Sequence, residues 1–343
     1  MDKKQKNIDS IDLTKFLLSL CIVAIHASFL NQYIFPFARL PVPVFFIFSG
    51  YLVFAKLDAI PDISAKKQKL ACIIKRYLKL YLFWFILLLP YTLYLRKYFR
   101  SGFLNGCLKF LKSFFLASTF KGSWYIMATI LGTVIIFYLS RRISNRGLLL
   151  ITVPIYLFST VFTEFSAEIQ SVPALAAFTD FYKMILGTPH FSFMIALLYL
   201  VLGKILADHA QESRPRKSNL VFLLVCLTGL VFEYCFRLKS KSFPYSCNCF
   251  LLLAPAAYFL TAIILHIQIQ IRHSDILRKL STIIYCGHVP ILAVVSKCLR
   301  LCGVSDPLHI LSYSATLLLV IGGGLLLLAL EKKHPFRFLK YAH

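Results

Sequence analysis

The run Ile11-Asp12-Leu13-Thr14-Lys15-Phe16-Leu17-Leu18-Ser19-Leu20-Cys21-Ile22-Val23-Ala24-Ile25-His26-Ala27-Ser28-Phe29-Leu30 decides how this chain is built. An apolar stretch of about 20 residues is long enough to cross the hydrocarbon core of a bilayer as a helix. A charged side chain inside such a stretch costs several kcal/mol unless it faces a partner or water. Lys15 and His26 are eleven positions apart. At ~100° per residue the second returns to nearly the same helix face, roughly 16 Å further along the axis. Asp12 and Ser19 fall on that face too. One surface of the helix thus carries a cation near one boundary and a titratable imidazole near the other.

The rest of the chain extends the same reading. Of 343 residues, 59% are hydrophobic and only 15% charged, with a mean hydropathy of +0.74. This excludes a soluble domain of such length, and the strand alternation of an outer-membrane barrel is absent. Apolar runs predict ten spans, near 11–30, 39–55, 77–95, 123–140, 148–163, 191–207, 219–236, 249–270, 281–299 and 309–330. The expectation is an all-α polytopic bundle forming one transmembrane domain over residues 1–343, with no soluble extracytoplasmic domain. The first run is too long and too polar for a cleavable signal peptide and is expected to remain as a span.

An even number of spans places both termini on one side. With Lys3, Lys4 and Lys6 inside, the inside segments hold 22 Lys and Arg against 13 outside. The positive-inside bias therefore predicts cytoplasmic termini in a cell (inner or plasma) membrane. The formal net charge of +24 follows from topology and anionic lipid headgroups, and no nucleic-acid partner is expected. The loop Arg96 to Lys121 is basic although outside, and within it Phe103 to Thr119 is amphipathic enough to lie on or dip into the membrane. The loop Glu164 to His190 is the acidic one. Ten cysteines show no metal-type spacing; the close set Cys247-Asn248-Cys249 reads as small apolar residues at a span end, and no metal is expected.

Several polar groups inside the spans carry candidate chemistry. An imidazole with an ordinary pKa near ~6.5 can take a proton from a hydroxyl at neutral pH, which makes His26 a candidate base. Lys15 is suited to holding a phosphate or a developing negative charge, with Asp12 neutralising it at the boundary. Lys75, Arg76 and Lys79 place three cations at the start of the third span, where a phosphorylated cofactor such as coenzyme A would find them. His288 sits beside Pro290, and a proline-disturbed helix can line a cavity. Ser49, Gly50 and Tyr51 end an aromatic run in which small residues ordinarily permit close helix approach. Gly122-Ser123-Trp124-Tyr125 reads as an interfacial anchor unless it lines a pocket. Glu233 in the seventh span is expected to be paired.

These residues together resemble acyltransferase family 3, the integral-membrane O-acyltransferases. The resemblance rests on Lys15 and His26, which match that family's basic-x10-His signature in the first span. It is supported by Phe45-Phe46-Ile47-Phe48-Ser49-Gly50-Tyr51-Leu52, by Arg76 and Lys79, by Ser123-Trp124-Tyr125, by Tyr285, His288 and Pro290, and by the basic tail. The matches run in the expected order over nearly the whole chain. Membership implies ten spans and transfer of an acyl group, usually acetyl from acetyl-coenzyme A, to a hydroxyl of a cell-surface glycan or lipid-linked sugar. His26, Lys15 and His288 would then be catalytic, His26 as base on the acceptor hydroxyl or as transient carrier of the acyl group. Lys15, Lys75, Arg76 and Lys79 would hold the donor, and Ser49, Tyr51 and Trp124 the acceptor.

Expected partners are membrane lipid, the saccharide acceptor and other surface-polysaccharide assembly proteins. The sequence departs from the pattern where Lys15 and Lys79 stand for arginines, and where Pro189-His190-Phe191 replaces an Arg-Asn pair. A transporter or flippase of a surface-glycan precursor is the rival class, in which the polar stripe would line a translocation path.

Overall fold

A computed structural model describes residues 3–29, 36–96, 98–116, 118–120, 122–209, 217–239 and 249–343. Among these residues the chain is helical, without strands. The helices are α1 Lys3–Ala27, α2 Pro41–Asp58, α3 Ile63–Arg96, α4 Phe103–Phe115, α5 Ser123–Leu139, α6 Asn145–Glu164 and the short α7 Ser166–Gln170. They continue with α8 Pro173–Leu186, α9 Phe193–Asp208, α10 Lys217–Lys239, α11 Leu253–His266, α12 Ser274–Leu301 and α13 Ile310–Glu331, and a 3-10 tail covers His334–Ala342.

Every expected span coincides with a helix, but the count of ten is not reached by helices that could each cross a membrane. Six described helical stretches are long and apolar enough: Asp9–Ala27, Phe37–Asp58, Asn145–Glu164, Lys217–Lys239, Ser274–Leu301 and Ile310–Glu331. A seventh arises if α8 and α9, bent by 40° at the break near Ser192, form one span. The shortfall has a physical reason. α5 has 17 residues and α11 has 14, below the length of about 20 that a perpendicular crossing takes. α3 spends its first turns on Lys66, Lys67, Lys69, Lys75, Arg76 and Lys79. The protein is nonetheless a multi-pass membrane protein. The outward faces of α10 and α13 are apolar and open, with Val225 62% and Leu318 75% exposed, as lipid-facing surfaces require.

Two contacts fix the frame around α1. α1 and α12 lie side by side and run in the same direction. Asp9 receives the Ser274 hydroxyl at 2.7 Å and the Ile271 N–H at 3.1 Å, while halfway along α12 His288 meets His26. Asp12, expected to neutralise Lys15, lies within electrostatic range of it and also accepts a charged hydrogen bond from Arg278 at 3.2 Å. That parallel packing brings Arg278, one turn into α12, alongside Asp12 of α1.

α2 and α9 form the other tight pair. A Cβ on Gly50 would strike the Leu200 carbonyl, and one on Gly203 would strike the Ile47 carbonyl, so the backbones touch as small residues at membrane helix interfaces allow. Pro41 and Pro43 sit in the first turn of α2, where a missing N–H is harmless.

The amphipathic segment expected from Phe103 forms α4. Phe103, Leu104, Leu108, Leu111 and Phe115 are exposed on one face, while Phe110 and Phe114 pack on Phe85. Lys112 donates to the carbonyls of Lys183 and Met184 at 2.5 and 2.9 Å, beside the Gly187 N–H that also caps Lys183 at the end of α8. Of the Cys247-Asn248-Cys249 set, the first two lie outside the described residues. Cys249 is buried, and its N–H donates to Glu164 at 2.9 Å.

Candidate active site

Two cavities lie on either side of one aromatic layer. The first is a cleft of about 470 Å³ at the end of the bundle where α1 and α12 begin. Lys75, Arg76 and Lys79 of α3 line it, joined by Arg278 and Lys279 of α12 and by Lys340, Tyr341 and His343 of the tail. No carboxylate lines it, and among the described residues none forms an ion pair with Lys75, Arg76 or Lys79. Lys15 lies just above, half-buried, within electrostatic range of Asp12, Arg278 and Arg76, its Nζ 5.9 Å from the Phe45 ring.

That ring belongs to the layer. Phe45, Tyr125 and Tyr285 meet with centroids 5.4 to 6.1 Å apart. Tyr125 is held by its hydroxyl, which donates to the Phe45 carbonyl at 3.1 Å and pairs with Ser49 at 2.8 Å. Tyr285 donates to the Gly122 carbonyl at 3.0 Å. Gly122 has φ +96, a backbone conformation that side-chain-bearing residues rarely adopt, which favours a glycine there.

Beyond the layer is the second cavity, about 620 Å³, lined by His26, His288, His190, Arg39, Trp124, Tyr91, Tyr285 and the hydroxyls of Thr92, Ser118 and Thr119. The His26 and His288 rings stand 5.0 Å apart between centroids. His288 is buried, with Nδ1 2.9 Å from the Ile284 carbonyl. A carbonyl only accepts, so in the neutral ring Nδ1 carries the hydrogen and Nε2 the lone pair. His26 is open to the cavity. Thr282 lines the cleft and Tyr285, three residues further along α12, lines the cavity.

The structure therefore brings Lys75, Arg76 and Lys79 together in the cleft, with Lys15 nearby, and His26, His288 and Trp124 together in the cavity. It does not bring Ser49 and Tyr51 there. Ser49 is buried beneath the layer on Tyr125, and Tyr51 packs on the main hydrophobic core. The α2 face that carries Gly50 is taken up by α9.

Sequence reasoning missed Arg39, His190, Arg278, Lys279, Lys340 and Tyr341 as lining residues. Their signals were weak. Arg39 precedes the Pro41 turn, His190 stands where the family pattern departs, and the others read as ordinary positive-inside residues.

Residues 8–329 match the family described as an acyltransferase domain. Among curated proteins, the chain is 28% identical over 76% of its length to a serine/alanine racemase of Enterococcus gallinarum, covering 37% of that protein. It is 24% identical over 77% of its length to an amino-acid racemase of Enterococcus faecalis, again covering 37%. A further amino-acid racemase of Enterococcus faecalis is 24% identical over 84% of this chain and 41% of its own. The chain thus spans about two-fifths of the length of the curated relatives it matches. No solved structure matches it.

Proposed function

The chain belongs to the acyltransferase-domain family over residues 8–329, and from that premise we propose that it is a membrane O-acyltransferase. It moves an acyl group, acetyl in the first instance, from acyl-coenzyme A to a hydroxyl of a cell-surface glycan or lipid-linked sugar. The observation that carries this reading is the division of labour between the two compartments: a cluster of cations in one, of which Lys75, Arg76 and Lys79 form no ion pair among the described residues, and two neighbouring imidazoles among aromatic and hydroxyl groups in the other.

The donor's phosphates sit in the cleft on Lys75, Arg76 and Lys79, where clustered cations gain charge-assisted hydrogen bonds. Its thioester arm reaches past Phe45, Tyr125 and Tyr285 to His26. An acceptor hydroxyl in the cavity, against Trp124, loses its proton to His26 as its oxygen attacks the thioester carbon. The C–S bond breaks, the ester C–O bond forms, and the departing thiolate takes a proton to leave as free thiol. Lys15 offsets negative charge near the layer, and His288 positions His26 or relays its proton. We place both termini in the cytoplasm of an inner or plasma membrane. We also count α3, α5 and α11 as crossings, giving ten, because each has one end at the cleft side and the other at the cavity side.

A transport role is the second reading, favoured by two compartments lying in line across one thin aromatic layer. One experiment separates them. Purified protein in nanodiscs is given acetyl-coenzyme A and an envelope glycan extract, and free thiol is measured. The acyltransferase releases thiol in proportion to acetylated glycan, and His26→Ala slows this by about 10²–10⁴-fold while keeping donor binding. No thiol release by folded wild type, or a fully active His26→Ala, overturns the assignment.

A further inference from the structure

The tail after α13 is not a trailing end but a wall of the cleft. It is seated at three points. Trp84 of α3, itself buried, donates its indole N–H to the Ala342 carbonyl at 2.9 Å. His343 meets Glu331, at the end of α13, at 2.7 Å. Ala342 is fully buried in the cluster that also holds Tyr81 and Trp84. So held, the tail places Tyr341 against two cations from different elements: Lys79 Nζ of α3 is 4.9 Å from its ring centroid and Lys340 Nζ is 5.2 Å. Both lysines line the cleft with Arg76 and Arg278.

Gathering like charges is unfavourable until an anion arrives. An aromatic face can hold ammonium groups in place meanwhile. A solvated basic tail would have no cause to be pinned by a buried tryptophan. We infer that the 334–343 tail is part of the donor site, with Lys340 as a phosphate-binding residue and Tyr341 as the positioning residue that holds Lys79 and Lys340 toward a nucleotide carrying several phosphates.

This inference rests on the donor reading of the cleft, and its test keeps the two apart. Full-length protein in nanodiscs is titrated with acetyl-coenzyme A, and separately with inorganic pyrophosphate, for wild type, Lys340→Ala, Lys340→Arg and Tyr341→Leu. Thermal unfolding and gel filtration certify each fold. Lys340→Ala should weaken acetyl-coenzyme A binding roughly tenfold, as loss of a charge-assisted hydrogen bond does. Lys340→Arg should restore most of it, and Tyr341→Leu should fall between.

Wild-type affinity in folded Lys340→Ala and Tyr341→Leu overturns the role of the tail and leaves the donor reading intact. Pyrophosphate binding that needs Lys340, without any acetyl-coenzyme A binding, keeps the tail as an anion-binding wall and overturns the donor reading. A wild type that binds neither probe overturns both.

Discussion

Arginine appears in two opposite settings at the two ends of this molecule. At the cavity end, Arg237 of α10 is 7% exposed and fully matched. It meets Glu164 at 2.8 Å and Glu233 at 2.6 Å, donates to the Cys249 carbonyl at 3.0 Å and lies 4.8 Å from the Phe250 ring. Glu233 in turn accepts the Leu251 N–H at 3.0 Å. Two carboxylates and one guanidinium thereby pin α6 and α10 to the start of the segment leading into α11. At the other end, Arg76 lines an open cleft with other cations and no carboxylate.

The contrast teaches how to tell an architectural charge from a working one. A buried charge whose hydrogen-bonding groups are answered by protein stabilises a particular packing. Lys75, Arg76 and Lys79, like charges with no ion-pair partner among the described residues, are complete only when something binds.

Arg237→Ala should break the contrast most severely. It leaves Glu164 and Glu233 as neighbouring buried anions, and the expected loss is about 3–5 kcal/mol of stability, read as a lowered unfolding midpoint in detergent, with Arg237→Lys intermediate. Arg76→Ala should do the reverse. Unfolding should be unchanged within about 0.5 kcal/mol, as for an exposed site, while acetyl-coenzyme A binding weakens by about 1.5–3 kcal/mol. If Arg76→Ala unfolds the protein while leaving binding intact, the two ends are not different in kind. The smallest effect should come from salt. Raising ionic strength screens exposed charges far more than buried ones, so donor affinity should fall several-fold with added salt, while the unfolding deficit of Arg237→Ala stays constant.

The same distinction marks where the sequence was readable. Lys15 and His26 stood out because a charge or an imidazole in an apolar run is conspicuous wherever its partners lie. Lys75, Arg76 and Lys79 stood out as a cluster, and Glu233 in a span signalled a partner without identifying Arg237. Span number was harder, because apolar length reports a helix but not its crossing. α5 and α11 are short, and α3 is basic for its first turns.

The sequence alone determined that the chain is a helical membrane protein with a polar stripe on its first helix. Hydropathy and a 3.6-residue period are local properties, written in residues close together. Tertiary structure alone decided that Asp12 meets Arg278 as well as Lys15, that His26 stands 5.0 Å from His288, that Ser49 supports Tyr125 instead of lining the cavity, and that Lys79 and Lys340 share the Tyr341 ring. Each joins residues dozens to hundreds of positions apart, and only helix packing sets which faces meet.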